Sequence, residues 1–577
     1  MSDWTDFRRK VPLVISRSHE TTRANRTGTW RFVRPFQDEK TAPCSASCPV
    51  GEDIARIEYL LASGRAEEAW QLVLLENPLP AVSGRVCYHP CETVCNRALF
   101  DSGIAIHELE RAVGDRGLEA GWPLSMPPRP ASGKTVAIVG GGPAGISAGW
   151  FLNMLGYRCE VMEKEDEAGG LLRWGIPAYR LPEDVLQSEI RRIEKSGVRL
   201  TTGQPVTPEA IEGLERRFDA VFVSIGNNLP YTLKVAGDEL AQDGLAFLRN
   251  IRRGAPLQAP MKSAVIGGGN TAIDVARSLL RLGGQPVIVY RRRREDMPAA
   301  REELEAALAE GVEIIEMAAP EKITSQDGDI LLGLRAMRPD GRTKSGRTRV
   351  VPGMRRWTMT FQSVFTAIGA GVEQAWSRSA ADNASKLDLG HTCLYQTGRV
   401  PVIYGGDLTN GEQTVTHALA SGKQAAIALD IFFSQGVAEI SPSMAKCRVG
   451  DGPALSMERY LGMDRAARNS HLVRYEELNL DYFQMEAAQA EDLPAAGPAP
   501  LLDFNETAAT LGEDEAAAEA LRCFNCGICN QCDNCRLYCP ELAVSPGPQR
   551  QINLQYCKGC GICAVECPRN ALSLEEE

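Results

Sequence analysis

The chain has 577 residues, 44% of them hydrophobic, and a formal net charge of −11. Such a length predicts about three to five domains, and the negative field disfavours nucleic acid and anionic membrane as partners. The start, MSDWTDFRRKVPLV, lacks the positive, apolar pattern of a secretory signal, and no apolar run of about 18 residues is present to span a bilayer. Membrane insertion is therefore not expected, and a reducing cytoplasm is the expected compartment.

Cysteine is unevenly placed. Five of the 18 lie between residues 44 and 95, ten between 523 and 567, and only Cys159, Cys393 and Cys447 elsewhere. In a reducing compartment such crowding points to metal ligation rather than a disulfide framework. The head, residues 1–130, carries Cys44 and Cys48, then Cys87, Cys91 and Cys95. Between them Ile54, Ile57, Leu60 and Leu61, then Ala69, Leu72 and Val73, recur at helical spacing, predicting a small α-helical domain able to hold an iron–sulfur cluster.

KTVAIVGGGPAGISAGWFLNMLGYRCEVMEKEDEAGG reads as strand, glycine turn, helix, strand. Gly140, Gly142 and Gly145 have the G-x-G-x-x-G spacing, Pro143 and Ala144 open the helix, and Glu163 ends the second strand where it can accept from a ribose hydroxyl. A second unit, KSAVIGGGNTAIDVARSLLRLGGQPVIVYRRRRE, repeats the fingerprint with Gly267, Gly269, Asn270, Thr271 and Ala272. Here the second strand ends in Tyr290 followed by four arginines, of which Arg291 and Arg292 are candidates for a 2′-phosphate; the others are expected to be solvated. In VPVIYGGDLTNGEQTVTHALASGKQ, Gly406 and Asp407 end a strand, and the helix beginning near Thr414 and Thr416 aims its positive end at a flavin. The expected fold is thus α/β, with an FAD domain over 131–255 and 365–435 and an inserted NAD(P) domain over 256–364. No C-x-x-C lies between 160 and 392, so disulfide reduction is not expected. The six histidines are too scattered in sequence to suggest a metal site.

Residues 436–520 read as a linker, with an Ala/Pro/acid-rich stretch from 486 to 503. The tail, 521–577, contains C-x2-C-x2-C-x3-C-P twice. In that pattern three close thiolates hold one [4Fe-4S] cube and the fourth serves its neighbour. Cys557, Cys560, Cys563 and Cys539 form one set, and Cys529, Cys532, Cys535 and Cys567 the other; Cys523 and Cys526 are surplus to both.

On NPLPAVSGRVCYHPCETVC, VGGGPAGISAG, GGLLRWGIPAYRLP, GGGNTAIDVAR, VYRRRREDMPA and GGDLTNGEQTVTHALASGKQAA, the chain resembles the glutamate synthase small-subunit family of pyridine-nucleotide flavoproteins, and specifically a subgroup that carries its own ferredoxin-like tail. The resemblance implies that Gly170, Leu171, Arg173, Gly175 and Ile176 line FAD. It also implies a head cluster held by Cys48, Cys87 and Cys91 with an oxygen from Glu110. Ser83 stands where many relatives carry another cysteine, and a further upstream C-x-x-C is absent, leaving Cys44 and Cys95 as ligand candidates without an assigned partner set. The expected cofactors are FAD, NAD(P)H and three [4Fe-4S] clusters, with no side chain acting as acid, base or nucleophile. The expected activity is an NAD(P)H:acceptor oxidoreductase, reversible in direction, serving ferredoxin or a larger reductase. The alternative is an electron-transfer subunit active only within a complex, such as a glutamate synthase, a sulfite reductase or a 2-oxoacid:ferredoxin oxidoreductase. Oligomeric state is not legible.

Overall fold

A computed structural model describes residues 26–124, 128–227, 229–255, 261–343, 346–376, 385–396, 400–409, 411–463, 468–486, 503–547 and 550–577. These fall into two compact units: a larger one within Ala42–Ala466 and Met485–Cys523, and a smaller one within Met1–Thr41, Ala467–Gln484 and Phe524–Glu577.

The larger unit opens with short helices, α1 (Pro43–Ser47), α2 (Ile54–Ala62), α3 (Ala66–Glu76), α4 (Pro80–Val86), α5 (Pro90–Thr93) and α6 (Ile106–Ala120). The apolar positions spaced three and four apart in α2 and α3 are those buried. Helices α4 and α6 approach backbone to backbone. A Cβ on Gly114 would lie 2.4 Å from Ala81 N, and one on Gly84 would lie 2.4 Å from Arg111 N. Only glycine allows this approach, and it brings Glu110 on α6 beside Cys87 at the end of α4.

A seven-stranded sheet follows, built from β1 (Thr135–Val139), β2 (Arg158–Met162), β3 (Arg199–Thr201) and β4 (Ala220–Val223) and completed far along the chain. Helix α7 (Pro143–Met154) crosses from β1 to β2, α8 (Leu171–Trp174) lies in the segment 169–182, and α9 (Glu183–Lys195) precedes β3. Strands β1 and β4 are apolar and almost wholly buried, as a parallel sheet covered on both faces requires.

The chain then leaves this sheet through Leu229–Pro230, which pairs antiparallel with Ala370–Gly371 on its return. Between these crossings lies a second, parallel sheet: β5 (Gln242–Asp243), β6 (Lys262–Gly267), β7 (Gln285–Val289), β8 (Glu313–Ile315) and, after a three-stranded antiparallel sheet of β9 (Ala318–Gln326), β10 (Asp329–Arg342) and β11 (Thr348–Phe361), β12 (Ser363–Ala367). Its order is β8-β7-β6-β12-β5, with α10 (Asn270–Arg281) and α11 (Arg301–Ala309) as crossover helices. The insertion thus begins well before residue 256. A two-residue strand and the helix Gly244–Arg252, capped by the Asp243 carboxylate, belong to it, and an element as short as β5 has no periodicity to read. The first sheet closes with β13 (Ser385–Asp388), β14 (Cys393–Gln396) and β15 (Val402–Tyr404), in the order β13-β14-β15-β4-β1-β2-β3, and α12 (Val415–Gln435) packs on α7.

The span expected as a linker is largely structured. Helices Ile440–Lys446, Met457–Tyr460 and α13 (Glu513–Leu521) bury Ile440, Met444, Met457, Ala516 and Ala520. Their apolar stripes are too short to register against the surrounding polar residues. The stretch 487–502 lies outside the described residues.

In the smaller unit Val33–Gln37 pairs antiparallel with Leu572–Glu576, and Val544–Ser545 with Gln551–Ile552. Residues 33–41, expected in the helical head, thus join the ferredoxin-like tail, a pairing over more than 500 residues that neither strand announces alone. Among the described residues no helix is long and apolar enough to cross a membrane.

Candidate functional site

Cys48, Cys87, Cys91 and Glu110 gather inside the helical head, with Cys44 close enough to Cys91 for their charges to interact. Burial pushes the Cys87 thiol up to about 12 and those of Cys48 and Cys91 well above the ordinary thiol value. Burial likewise holds Glu110 well above the carboxylate range and Glu52 at about 7. So many buried acidic groups in one place resist ionising together unless a cation joins them, which is the environment that iron of a cluster would satisfy. Glu110 Oε1 accepts from Ser83 Oγ and from Asn77 Nδ2 at 2.7 Å, so the serine standing in a cysteine position orients the carboxylate. Cys95 is also prepared as an acceptor: the backbone amides of Ile104, Arg97 and Ala98 all point at its sulfur.

Next to this group lies an open cavity. Gly140, Gly142, Pro143 and Ala144 line it from the β1–α7 turn, Glu163 from the end of β2, Gly170, Leu171, Gly175 and Ile176 from the segment around α8, Gly406 and Asp407 from the turn after β15, and Thr414 from the start of α12; Asn270 and Thr271 enter from the start of α10 in the inserted domain. Gly145 stands behind the wall, where a Cβ would lie 1.9 Å from Gly140 O. Glu163 is fixed by Gly141 N to Oε2 at 2.7 Å and Glu165 N to Oε1 at 2.9 Å. Asp407 is pushed up to about 6 by burial. Thr414 caps α12 by accepting from His417 N, directing the positive end of a 21-residue helix into the cavity.

Two expected contacts do not reach this cavity. The Arg173 guanidinium is turned inward, donating to Ala168 O at 2.7 Å, Gln187 Oε1 at 2.5 Å and Glu183 Oε1 at 3.2 Å, because the helical turn of α8 points it at α9. Thr416, the second residue of α12, is buried, with its hydroxyl 3.9 Å from Cys87 Sγ. Val86 and Tyr88, on either side of Cys87, line the cavity themselves. Sequence reasoning also missed Arg180 and Asp274, which face each other at the cavity edge: Arg180 Nη1 lies 3.0 Å from Asp274 Oδ2, and Nε lies 2.6 Å from Glu303 Oε1. Arg180 stands in the quoted segment GGLLRWGIPAYRLP, but its partners on α10 and α11 are about 100 residues away.

A second open cavity lies over the inserted sheet, lined by Gly267, Gly268, Gly269, Thr271, Tyr290, Arg291 and Arg292 among others. Ala272 is buried behind it. Two of the four arginines are engaged elsewhere, Arg293 with Glu295 and Arg294 with Glu316.

In the smaller unit Cys529, Cys532, Cys535 and Cys567 line one small cavity, and Cys539, Cys557, Cys560 and Cys563 another. Each crossing cysteine accepts an amide from four residues on, Ala543 N to Cys539 Sγ and Ala571 N to Cys567 Sγ, both at 3.3 Å. All 18 cysteines lie among the described residues and none is in a disulfide.

His89 and His107, remote in sequence, meet after all. Their rings stack at 3.9 Å, and with Glu92 their donor atoms lie within 4.8 Å of one another. Nearly parallel rings do not converge their in-plane lone pairs on one ion. Although burial opposes the charge, Glu108 and Glu92 hold His107 protonated, at about 10, so the group reads as an ion-pair network.

Sequence comparison agrees with this arrangement. The pyridine nucleotide-disulphide oxidoreductase family matches residues 134–422. The chain belongs to that family. Within this pyridine nucleotide oxidoreductase, residues 36–122 match dihydropyrimidine dehydrogenase domain II, 4Fe-4S cluster, and residues 550–573 match a 4Fe-4S binding domain. It is 35% identical over 432 residues to the NADP(+)-dependent formate dehydrogenase subunit beta of Moorella thermoacetica, covering 69% of this chain and 60% of that one. It is 32% identical over 448 residues to the NADPH-Fe(3+) oxidoreductase subunit beta of Geobacter sulfurreducens (71% and 66%). It is 32% identical over 393 residues to the NAD-dependent dihydropyrimidine dehydrogenase subunit PreT of Escherichia coli (67% and 90%). The chain therefore spans well under two thirds of the Moorella relative.

Proposed function

We propose that this chain is an NAD(P)H-dependent flavin and iron–sulfur oxidoreductase that hands electrons to ferredoxin or to a larger redox enzyme, in the cytoplasm. FAD fits the cavity over the first sheet: the β1–α7 turn and the start of α7 offer amides to a pyrophosphate, Glu163 is positioned for a ribose hydroxyl, and α12 directs its positive end inward. The nicotinamide dinucleotide fits the cavity over the inserted sheet, and the three cysteine groups fit iron–sulfur clusters. When bound, FAD exchanges a hydride with the nicotinamide, and the clusters carry single electrons.

The residues of this chain supply position and electrostatics rather than proton transfer. Asn270 and Thr271, at the start of α10, face the flavin cavity from the inserted domain, and Thr271 also faces the other cavity, so the two share a wall. The observation that carries the proposal is the placement of Cys87. Its chain neighbours line the flavin cavity and its sulfur meets Thr416 of α12, giving the head group a direct route to the flavin.

Anaerobic titration of the purified protein with NADPH and then NADH, followed by absorbance and paramagnetic resonance, tests this. Flavin bleaching together with cluster signals is expected; protein without flavin or acid-labile sulfide overturns the proposal. The beta-subunit designations of the Moorella and Geobacter relatives favour a second reading, in which turnover requires a partner chain. In that case flavin reduction proceeds in the isolated protein, but steady reduction of viologen or ferredoxin does not.

A further inference from the structure

Three clusters use Cys48, Cys87, Cys91 and Glu110 in the head and eight thiols in the tail. Cys44, Cys95, Cys523 and Cys526 stand outside that count, and four thiolates are what one further cube takes.

The head thiols lie on two rungs. Cys44 and Cys48 are a turn apart on α1, with Cys48 N donating to Cys44 O at 3.0 Å, and Cys91 on α5 is followed four residues later by Cys95. Helices α1 and α5 pack together, and Ser47 Oγ donates to Pro90 O at 3.2 Å. The Cys48 charge acts on Cys91 more strongly than the Cys44 charge does, so Cys48 and Cys91 share one rung. Cys44 and Cys95 are each displaced from it by four residues.

The loop from Arg97 to Ala105 joins Cys95 to the far end of α13. Backbone amides of Arg97, Ala98 and Ile104 point at the Cys95 sulfur. The same loop grips the residue before Cys523: Arg97 Nη1 donates to Arg522 O at 2.6 Å, and the enclosed Arg522 guanidinium donates to Ser102 O at 2.9 Å and to Glu519 Oε1 at 2.7 Å. Ala105 N donates to that same Glu519 oxygen at 3.0 Å. A segment more than 400 residues along the chain is thereby fixed, through four hydrogen bonds, against the loop that wraps Cys95.

We infer that Cys44, Cys95 and Cys523 hold three corners of a fourth [4Fe-4S] cluster beside the head cluster, the last corner falling to Cys526 by its C-x2-C spacing from Cys523. The inference rests on reading the other cysteine groups as clusters. Amides aimed at a sulfur stabilise it as a thiolate ligand and tune the potential of the cluster it holds. Zinc would draw its thiolates to about 3.8 Å from one another, given tetrahedral Zn–S bonds of about 2.3 Å. Among the described residues no three thiols lie within 4.8 Å of one another, a spacing that suits a cube rather than a single ion.

The test is an assay of the anaerobically purified full chain for iron, acid-labile sulfide, zinc and FAD. The parent is expected to hold about sixteen iron and sixteen sulfide per chain, against about twelve of each for three clusters. Cys95→Ala combined with Cys523→Ala is expected to lower both to about twelve with FAD retained. Cys447→Ala, which alters a buried thiol just after the helix Ile440–Lys446, is expected to leave the parent count unchanged. A parent count near twelve, a double variant that keeps about sixteen, or one zinc per chain that the double variant loses overturns the fourth cluster and leaves the other three standing. The parent count decides even where the double variant does not fold. A parent without acid-labile sulfide overturns the cluster reading itself.

Discussion

Replacing Arg180 with Met removes a side chain that joins the segment 169–182 to both crossover helices of the inserted domain. Its guanidinium meets both Asp274 oxygens, at 3.0 and 3.2 Å, and Glu303 Oε1 at 2.6 Å, with Arg180 and Asp274 each almost fully enclosed. Deleting one partner of a buried pair costs about 3–5 kcal/mol. Arg277 also reaches Glu303 and its charge acts on Asp274, so the lower end, about 3 kcal/mol, applies. If all of this appears in the alignment of the two nucleotide cavities, flavin reduction by NADPH slows about 100-fold. The pH dependence has a definite sign. Burial already outweighs Arg180 and holds Asp274 at about 6, above its unfolded value; without the arginine it rises further. A raised carboxyl pKa contributes stability that is lost as pH rises through the folded value, so the defect is deeper at pH 8 than at pH 6. Arg180→Lys keeps the charge but cannot fork to both partners and falls in between. The assay is anaerobic stopped-flow reduction at both pH values, alongside thermal unfolding. A Met variant within twofold of the parent at pH 8, with an unchanged unfolding midpoint, would refute the reasoning.

Glu110→Ala is expected to lose the paramagnetic signal of the head cluster, whereas Glu110→Gln, which keeps an oxygen facing Ser83 and Asn77, retains it at a shifted midpoint potential, as read by redox titration. Cys539→Ser removes a corner of one tail cavity, so iron content falls by about four atoms per chain while the signal assigned to Cys529, Cys532, Cys535 and Cys567 persists. Gly145→Val drives side-chain atoms into Gly140 O, and the purified protein is expected to lack the flavin absorbance near its visible maximum. Asp407→Asn removes a buried carboxyl held near 6. In flavin-free protein at pH 7.5 this stabilises the fold by up to about 3 kcal/mol, an advantage that shrinks as pH falls from 6 towards 4, while added FAD binds the Asn variant more weakly.

Much of the chemistry was legible because it is local. The strand–turn–helix spacing placed Gly140, Gly142 and Glu163 on one wall, and the repeated cysteine spacing sorted eight tail thiols into two sets of four, the sets that line the two cavities. What escaped was set by tertiary packing. Arg173 and Arg180 sit seven residues apart in one motif with the same chemistry. One turns into α9 and the other reaches α10 and α11, a distinction that depends on backbone direction. The stacking of His89 on His107, the bond from Arg292 Nε to Thr348 O and the pairing of residues 33–37 with 572–576 each join segments whose separation leaves no periodic trace. The structured span expected as a linker failed for the opposite reason: its helices are short, and the longest, Glu513–Leu521, is composed largely of acid and alanine.

The two crossings at Leu229–Pro230 and Ala370–Gly371 lie side by side, so the polypeptide enters and leaves the inserted half through a single doorway. A module attached at one doorway can be exchanged by recombination without cutting any strand of its host sheet. Chains sharing the first sheet are thereby free to exchange the insertion whole, and whatever preference is written into it travels with it.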